Sequence, residues 1–494
     1  MSALLLLATA AWAQDAGPAT VSAQPDRPPA FTTDGELRLL GSMYPDIVVD
    51  DLGTSTGGGV VLDSRLRGGA FWQRDAWKVG AELDLVEGQL AGDPWDLSGG
   101  IDARGRHELD ALDDGLVELR RAFVEGRIGL VGIQAGLVTS HWGLGMVAND
   151  GAHDPWFGRA DFGDRVLRLR LATRPLDGGQ TPLTFVLAGD RVVEDDTAEW
   201  NPLEGGQAAW QGIGSVLWQG EQTVGLYGVY RNQTETDGER TTEVGVLDLY
   251  GDAPIALGAW TLQLSLEAAA IAGSTDRTQT YNARQGLSVS SGGVTAQAKL
   301  SPEGDKLLCV LRGGWASGDG DPDDDQSHDF TFDRDFDAGM VLFDEVQGAI
   351  EAQTHAQLLD PANSGGPPEG VDALVTEGAF RRAAFVQPLV GGKPLAWLDL
   401  RAGVALSWAT APPSQAFLTY RNGGVPVNHL GQPTSGYALG TEVDWAVKVG
   451  DVDMEVGRDA LRPALLVQGG HLLAAENLGG GTVTLVTATG RLRW

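Results

Sequence analysis

From about Gly35 onward the chain alternates apolar and polar residues in segments separated by clusters of Gly, Asp and Pro. Trp77, Val79, Ala81, Leu83 and Leu85 are interleaved with Lys78, Gly80, Glu82 and Asp84. The longest run places Ala396, Leu398, Leu400, Ala402, Val404, Leu406 and Trp408 opposite Trp397, Asp399, Arg401, Gly403, Ala405 and Ser407. Leu439, Thr441, Val443, Trp445, Val447 and Val449 repeat the arrangement. A period of two puts each set on one face of a β-strand. Soluble strands run about five or six residues, whereas a strand tilted across a bilayer needs about 9 to 11. Several segments reach the longer value, and their polar faces carry full charges of both signs, which suits a wet lumen better than a dry sandwich core. Trp77, Trp408 and Trp445 are expected at segment ends, where aromatic girdles meet the membrane interface.

The pattern predicts an all-β fold: a transmembrane, antiparallel up-and-down β-barrel of about 16–18 strands over residues 34–494. Long loops are expected at about 143–164, 190–207, 316–374 and 409–436. After residue 14 no stretch approaches the ~18 to 20 apolar residues that a membrane helix requires.

The two ends fit an exported barrel. Leu4 to Leu7 begin an apolar stretch that runs to Trp12, and Ala11-Trp12-Ala13 forms an A-x-A cleavage site before Gln14. Residues 1–13 are therefore expected to be a signal peptide, and 14–33, rich in proline, a flexible periplasmic lead. At the other end Trp494, Leu492, Gly490, Ala488 and Val486 share one face of a last strand. A terminal aromatic preceded by alternating apolar residues resembles the assembly signal of bacterial outer-membrane proteins, so Trp494 and Leu492 point to the barrel-assembly machinery as a partner. Physically, the last strand must close against the first, because an open edge in lipid leaves backbone groups unpaired.

Composition sharpens the picture. The 494 residues include 70 glycines, which are costly in helices and at home in turns and bulges. A formal net charge of −32 excludes nucleic acid as a partner, since a phosphate-binding surface needs a basic excess. The single cysteine, Cys309, allows no internal disulfide, so a closed hydrogen-bonded wall would supply the stability. The remaining partners expected are outer-membrane lipid and lipopolysaccharide, together with a small-molecule or saccharide solute.

Two stretches carry a family likeness. One runs from Leu119-Arg120-Arg121-Ala122-Phe123 through Ser140-His141-Trp142-Gly143 to Gly163-Asp164-Arg165-Val166-Leu167-Arg168. The other joins Gly314-Trp315-Ala316-Ser317-Gly318-Asp319 to Leu439-Gly440-Thr441-Glu442-Val443-Asp444. Together they resemble outer-membrane barrels of the alginate-export and porin-like type, especially a group of long barrels from delta-type proteobacteria. The resemblance implies a basic lumen that passes an anionic sugar polymer, with Arg120 or Arg121, Arg165, Arg168 and Arg170 as the matching residues.

The residues themselves offer three candidate sites. Arg168 and Arg170 face one way and Leu167, Leu169 and Leu171 the other. With the leucines in lipid, the arginines line the lumen about 7 Å apart and could select anions. Their alternative role is to neutralise Glu125, Glu267 or Glu442 on neighbouring strands. Asp319, Asp321, Asp323 and Asp325 crowd hard oxygen ligands together as a candidate Ca²⁺ site, the only cofactor the chain suggests; a solvated outer loop is the alternative. His141, Trp142, His153 and Trp156 mark a candidate constriction loop. No H-E-x-x-H motif is present. The function expected is a channel for small polar solutes or anionic saccharides rather than an enzyme. An outer-membrane hydrolase, a plugged structural or adhesin barrel and a soluble sandwich are the rivals.

Overall fold

A computed structural model describes residues 30–494 except 93–95, 98–100, 103–110, 113–114, 162, 204, 237, 279–285, 303–305, 323, 365–377, 435, 452–453 and 457–458. The expected signal peptide, 1–13, lies outside the described residues, as do 14–29 of the expected lead. Residues 30–33 belong to the first strand.

The wall is a closed antiparallel barrel of 18 strands. We number them in chain order: β1 (Ala30–Tyr44), β2 (Gly59–Arg74), β3 (Trp77–Gly92), β4 (Val117–Ile128), β5 (Val131–Thr139) and β6 (Arg165–Thr173). Then come β7 (Leu183–Asp195), β8 (Ala208–Gln219), β9 (Thr223–Thr234), β10 (Thr241–Leu257), β11 (Trp260–Thr275) and β12 (Leu287–Pro302). The last six are β13 (Leu308–Ala316), β14 (Ala383–Leu395), β15 (Leu398–Ala409), β16 (Ala438–Gly450), β17 (Asp459–Ala474) and β18 (Thr482–Arg493). Each pairs with its chain neighbours, and β18 closes on β1 in a register from Glu36 opposite Arg493 to Met43 opposite Val486. The closing seam ends in a reciprocal backbone pair, Gly35 N to Trp494 O and Trp494 N to Gly35 O, both 3.1 Å.

Two solvents enforce the alternation. Leu167, Leu169 and Leu171 of β6, Leu400, Val404 and Leu406 of β15, and Leu226, Leu247 and Leu266 elsewhere on the wall are exposed on the outside. Arg170, Asp190, Asp248, Glu267, Arg312, Gln387, Glu442 and Asp444 are buried on the inside. Outward aromatics ring both rims: Trp72, Trp77, Trp218, Trp397 and Trp494 at the end with tight turns, and Trp210, Tyr230, Trp315, Trp408 and Tyr437 at the other. Trp445 corrects the sequence reading. It sits mid-strand in β16, opposite Gly469, because its alternation continues beyond it to Val449. Among the described residues no helix is long and apolar enough to cross a membrane.

Strand ends 75–76, 129–130, 258–259 and 396–397 are tight turns, and both chain ends of the barrel lie at that rim. The opposite rim carries the long connections 45–58, 93–116, 140–164, 317–382 and 410–437. The segment expected as a loop at 190–207 is shorter. β7 extends to Asp195, and a small hairpin of Ala198–Asn201 with Gly205–Gly206 precedes β8. Asp190 and Arg191, inside the stretch expected as loop, are wall residues, one of them facing the lumen arginine Arg168. The 316–374 segment extends to 382 and carries a π-helical turn, Leu342–Gln347, running into an α-helix, Gly348–Leu359.

The interior is not hollow. Phe330, Phe332, Met340, Val341, Leu342, Phe343, Val346 and Phe380 of the 317–382 connection form a dry cluster with Met146, Phe157, Phe385, Leu389 and Leu439. Phe332, Phe343 and Phe385 each meet Phe380 edge-on, with ring centroids 4.7 to 5.2 Å apart.

Candidate functional site

The 140–164 connection crosses the lumen and is tied to the wall on several sides. At its start the Trp142 indole donates to Asp248 Oδ1 at 2.9 Å and stacks on Tyr227, with centroids 4.8 Å apart. One residue on, Gly143 has φ +59, and a Cβ there would stand 2.4 Å from Glu267 Oε2. Only glycine lets the backbone approach closely enough for Leu144 N and Met146 N to donate to the Glu267 carboxylate. Further along, Trp156 Nε1 donates to Gln297 at 2.7 Å, and Gln468 Nε2 donates to Gly158 O at 2.9 Å. Arg491 grips Asp154 at 2.7 Å, and Arg38 meets Asp161 at 2.5 Å. These partners belong to β1, β9, β10, β11, β12, β17 and β18, so the loop spans the bore.

The 317–382 connection enters from another side and is held by a matching device. Glu442 of β16 accepts from Met340 N at 2.5 Å, Val341 N at 2.8 Å and Leu342 N at 2.9 Å. The two loops then lock together. Asp333 Oδ2 accepts from Asn149 N at 2.9 Å, Asp333 N donates to Met146 O, and Asp335 accepts from Asp161 N and Gly163 N, both 2.7 Å. Asp164 and Asp196 border this contact. Burial, with Asp195 and Asp196 close by, pushes the Asp164 carboxyl well above its usual range. Burial with Asp196, Asp164 and Asp335 does the same to Asp333. Asp196 is pushed up to about 6 by burial and its acidic neighbours, against the pull of Arg334.

The predicted arginines all lie on the inner wall. A bulge between Glu82 and Leu83 of β3 and Leu119 to Arg121 of β4 turns two successive side chains inward, so Arg120 and Arg121 both face the lumen. Arg120 is buried, 2.9 Å from Glu82, and donates to Asp150 O at 2.6 Å; Arg121 lies 5.0 Å from the centre of the Phe123 ring. Arg165 pairs with Glu118 and Glu194, and Arg168 forks onto Asp190 at 2.8 and 2.6 Å. Arg170 is buried two residues further along the same face. The acids expected as partners do other work. Glu125 holds Lys78 and Gln134, while Glu267 and Glu442 anchor the loops. Asp190 and Glu194 as partners could not be foreseen, since pairing across β6 and β7 depends on register.

His141, Trp142, His153 and Trp156 line one cavity of about 390 Å³ together with Tyr250, Gln297, Lys299, Arg312, Phe336 and Arg401. The Arg401 guanidinium lies 5.4 Å from the centre of the Trp156 ring, and that of Arg312 lies 5.3 Å from Phe336 and donates to Asp337 O. Both cations thus have their charge over or beside an aromatic face.

The aspartates proposed for Ca²⁺ are not gathered. Asp319 turns inward and accepts from the amides of Asp321 and His328, Asp321 and Asp325 are exposed, and Asp323 lies outside the described residues. Among the described residues, the group with metal-ligand spacing is His141, Asp150 and His153. A match to the G-x-S-x-G pattern of hydrolases, Gly53-Thr54-Ser55-Thr56-Gly57, sits in the 45–58 connection. There Ser55 bridges Val48, with no strand-to-helix elbow to expose it.

No protein-family model and no curated protein sequence matches the chain. Solved structures do. The outer membrane protein OpdK from Pseudomonas aeruginosa is 9% identical over 94% of this chain and 99% of that one, with a TM-score of 0.48. Pseudomonas aeruginosa OccK11 (OpdR) is 13% identical over 94% and 96%, at 0.46, and OccK2 (OpdF) in complex with glucuronate is 10% identical over 94% and 97%, at 0.45. The finer likeness to alginate exporters has no family model behind it, and none of these three structures is described as one.

Proposed function

We propose that the chain is an outer-membrane channel of Gram-negative type, passing small polar solutes, anions among them, through a lumen narrowed by its own loops. The observation that carries this reading is the inversion of the wall: leucines and a double aromatic rim outside, and ion-paired, hydrogen-bonded side chains inside. A soluble barrel would bury those leucines. The narrowing sets the class of solute. A cavity of about 390 Å³ has the size of small-ligand sites, roughly 300–1,000 Å³, and two crossing loops leave poor passage for a polymer. Within it Lys299, Arg312 and Arg401 supply positive charge beside the lining acids Asp154, Asp252, Asp335 and Asp337, and Trp156 supplies a flat face for a ring.

Partners follow from the same reading: lipid and lipopolysaccharide around the wall, and the barrel-assembly machinery reading the strand that ends at Leu492 and Trp494. The test is planar-bilayer recording with a salt gradient. Steady single-channel currents with a reversal potential on the anion side support the reading; a folded, heat-modifiable barrel that passes no current refutes it. The second reading, a plugged structural barrel, draws on the dry phenylalanine cluster across the bore and predicts that silent outcome.

A further inference from the structure

The constriction loop holds a group of side chains that solute passage leaves unexplained. His153 Nδ1 lies 3.0 Å from Asp150 Oδ1, and His141 Nδ1 lies 3.8 Å from the same oxygen. The two imidazole rings are 4.4 Å apart, centre to centre. All three ligand atoms fall within 4.8 Å of one another. Metal–nitrogen and metal–oxygen bonds of about 2.0–2.2 Å at tetrahedral angles put neighbouring ligand atoms about 3.3 Å apart, so the observed spacings bracket a bound ion. Two imidazoles with one carboxylate suit late first-row divalent ions, whereas Ca²⁺ and Mg²⁺ ask for six or more oxygens.

The supporting structure is unusual for a loop. Ser140 N bonds Asp164 O, Trp142 N bonds Ala148 O, Asn149 N bonds Asp333, and Ala152 N bonds Asp150 Oδ1, so the backbone is fixed on both sides of His141 and Asp150 and on one side of His153. Arg120 reaches this turn, but it touches the Asp150 carbonyl rather than the carboxylate, and Glu82 balances its charge. Both imidazoles line the 390 Å³ cavity, which leaves room beside them for a further ligand.

We propose that His141, Asp150 and His153 bind one late first-row divalent ion of the Zn²⁺ class, with open coordination positions facing the lumen cavity. The ion would staple the two ends of the 141–153 turn and set a Lewis acid where a carboxylate or phosphate solute pauses.

The test uses the full chain without a polyhistidine tag, folded in detergent. Calorimetry with ZnCl₂ should give one equivalent on the wild type, with no comparable uptake of CaCl₂ or MgCl₂. Loss of that equivalent is expected in the His141→Ala/His153→Ala double variant and in Asp150→Asn, which preserves side-chain shape. In His153→Cys, Co²⁺ should give a thiolate charge-transfer band, because cysteine then enters the coordination sphere. The proposal is overturned by no stoichiometric zinc on the wild type, or by undiminished zinc on a heat-modifiable double variant. Neither measurement uses current, so the metal site and the channel reading can fail separately.

Discussion

Removing the Glu442 carboxylate should release the 317–382 loop from the wall. Its oxygens accept from three consecutive amides, Met340, Val341 and Leu342, at 2.5, 2.8 and 2.9 Å. Glu442→Ala leaves these three buried donors without an acceptor, and a buried unsatisfied donor costs about 1–3 kcal/mol. Even at the low end the docked loop loses about 3 kcal/mol, roughly two powers of ten in its docking equilibrium. Asp444, which also accepts from Gln387 at 3.2 Å, is the nearest replacement acceptor, so the loss is counted at that low end. Glu442→Gln keeps one acceptor oxygen and should fall between. Hydrogen exchange of a peptide spanning 338–346 reads the docking equilibrium directly, with exchange about 100-fold faster expected in Glu442→Ala. Unchanged protection in a heat-modifiable Glu442→Ala barrel would refute the idea that this carboxylate holds the loop.

At the seam, a Cβ on Gly35 would stand 2.2 Å from Trp494 Cζ2 and 2.9 Å from Arg67 O, so Gly35→Val should sharply cut the heat-modifiable fraction; assembly at wild-type yield would show that closure tolerates the change. Arg168→Ala leaves the buried Asp190 carboxylate without its bidentate partner, so the reversal potential should move toward cations, further still with Arg170→Ala, and an unmoved potential removes these residues from selectivity. Loop docking should weaken as pH rises. Asp164, Asp196 and Asp333 have raised values in the folded state, so their contribution is complete below the ordinary carboxylate range and is lost as each deprotonates, for Asp196 through about pH 6. Proteolysis of the 317–382 loop should therefore be faster at pH 7.5 than at pH 5, and less so in Asp333→Asn; equal rates at both values would contradict it. His429, lowered to about 4 by burial, acts in the opposite sense: acidification below 6.5 should loosen the 410–437 connection, by up to about 3 kcal/mol, read as lost exchange protection around residues 427–430.

What was legible in the sequence is what two solvents enforce. Leu167, Leu169 and Leu171 against Arg168 and Arg170 could be assigned to lipid and lumen because a one-residue slip would put guanidinium groups into acyl chains. Inward arginines at 120 and 121 were legible only as alternatives. Their bulge is a pairing irregularity, set by β3 as much as by β4. Asp190 and Arg191 fall in the stretch expected as loop, yet they are wall residues, because a barrel lumen accepts charge mid-strand. The loops were the least legible part. His141, Trp142, His153 and Trp156 stood out by residue type, but Glu267, Glu442 and Asp333 act on backbone amides more than 100 residues away in sequence, and no local pattern encodes such a contact.

The net charge of −32 is a poor guide to what a solute meets inside. At physiological salt a charge is felt over about 8 Å, so acids on outer loops are screened from the bore. Along the seam Arg38, Arg65, Arg159 and Arg491 pair with Asp161, Glu36, Asp63 and Asp154, which leaves that stretch of wall neutral. Pairs of this kind are costly to desolvate and add little stability over apolar packing, so their presence argues for water and passing ions beside them rather than for a structural core. Selectivity then rests on the cations set beside aromatic rings in the cavity that the two loops leave. Arg312, over Phe336 and bonded to the Asp337 carbonyl, and Arg401, over Trp156 and paired with Asp399 at 2.9 Å, keep guanidinium groups beside ring faces in the lumen cavity. If anions are preferred, Arg401→Ala and Arg312→Ala should change that preference more than any exchange of the acids on the outer loops.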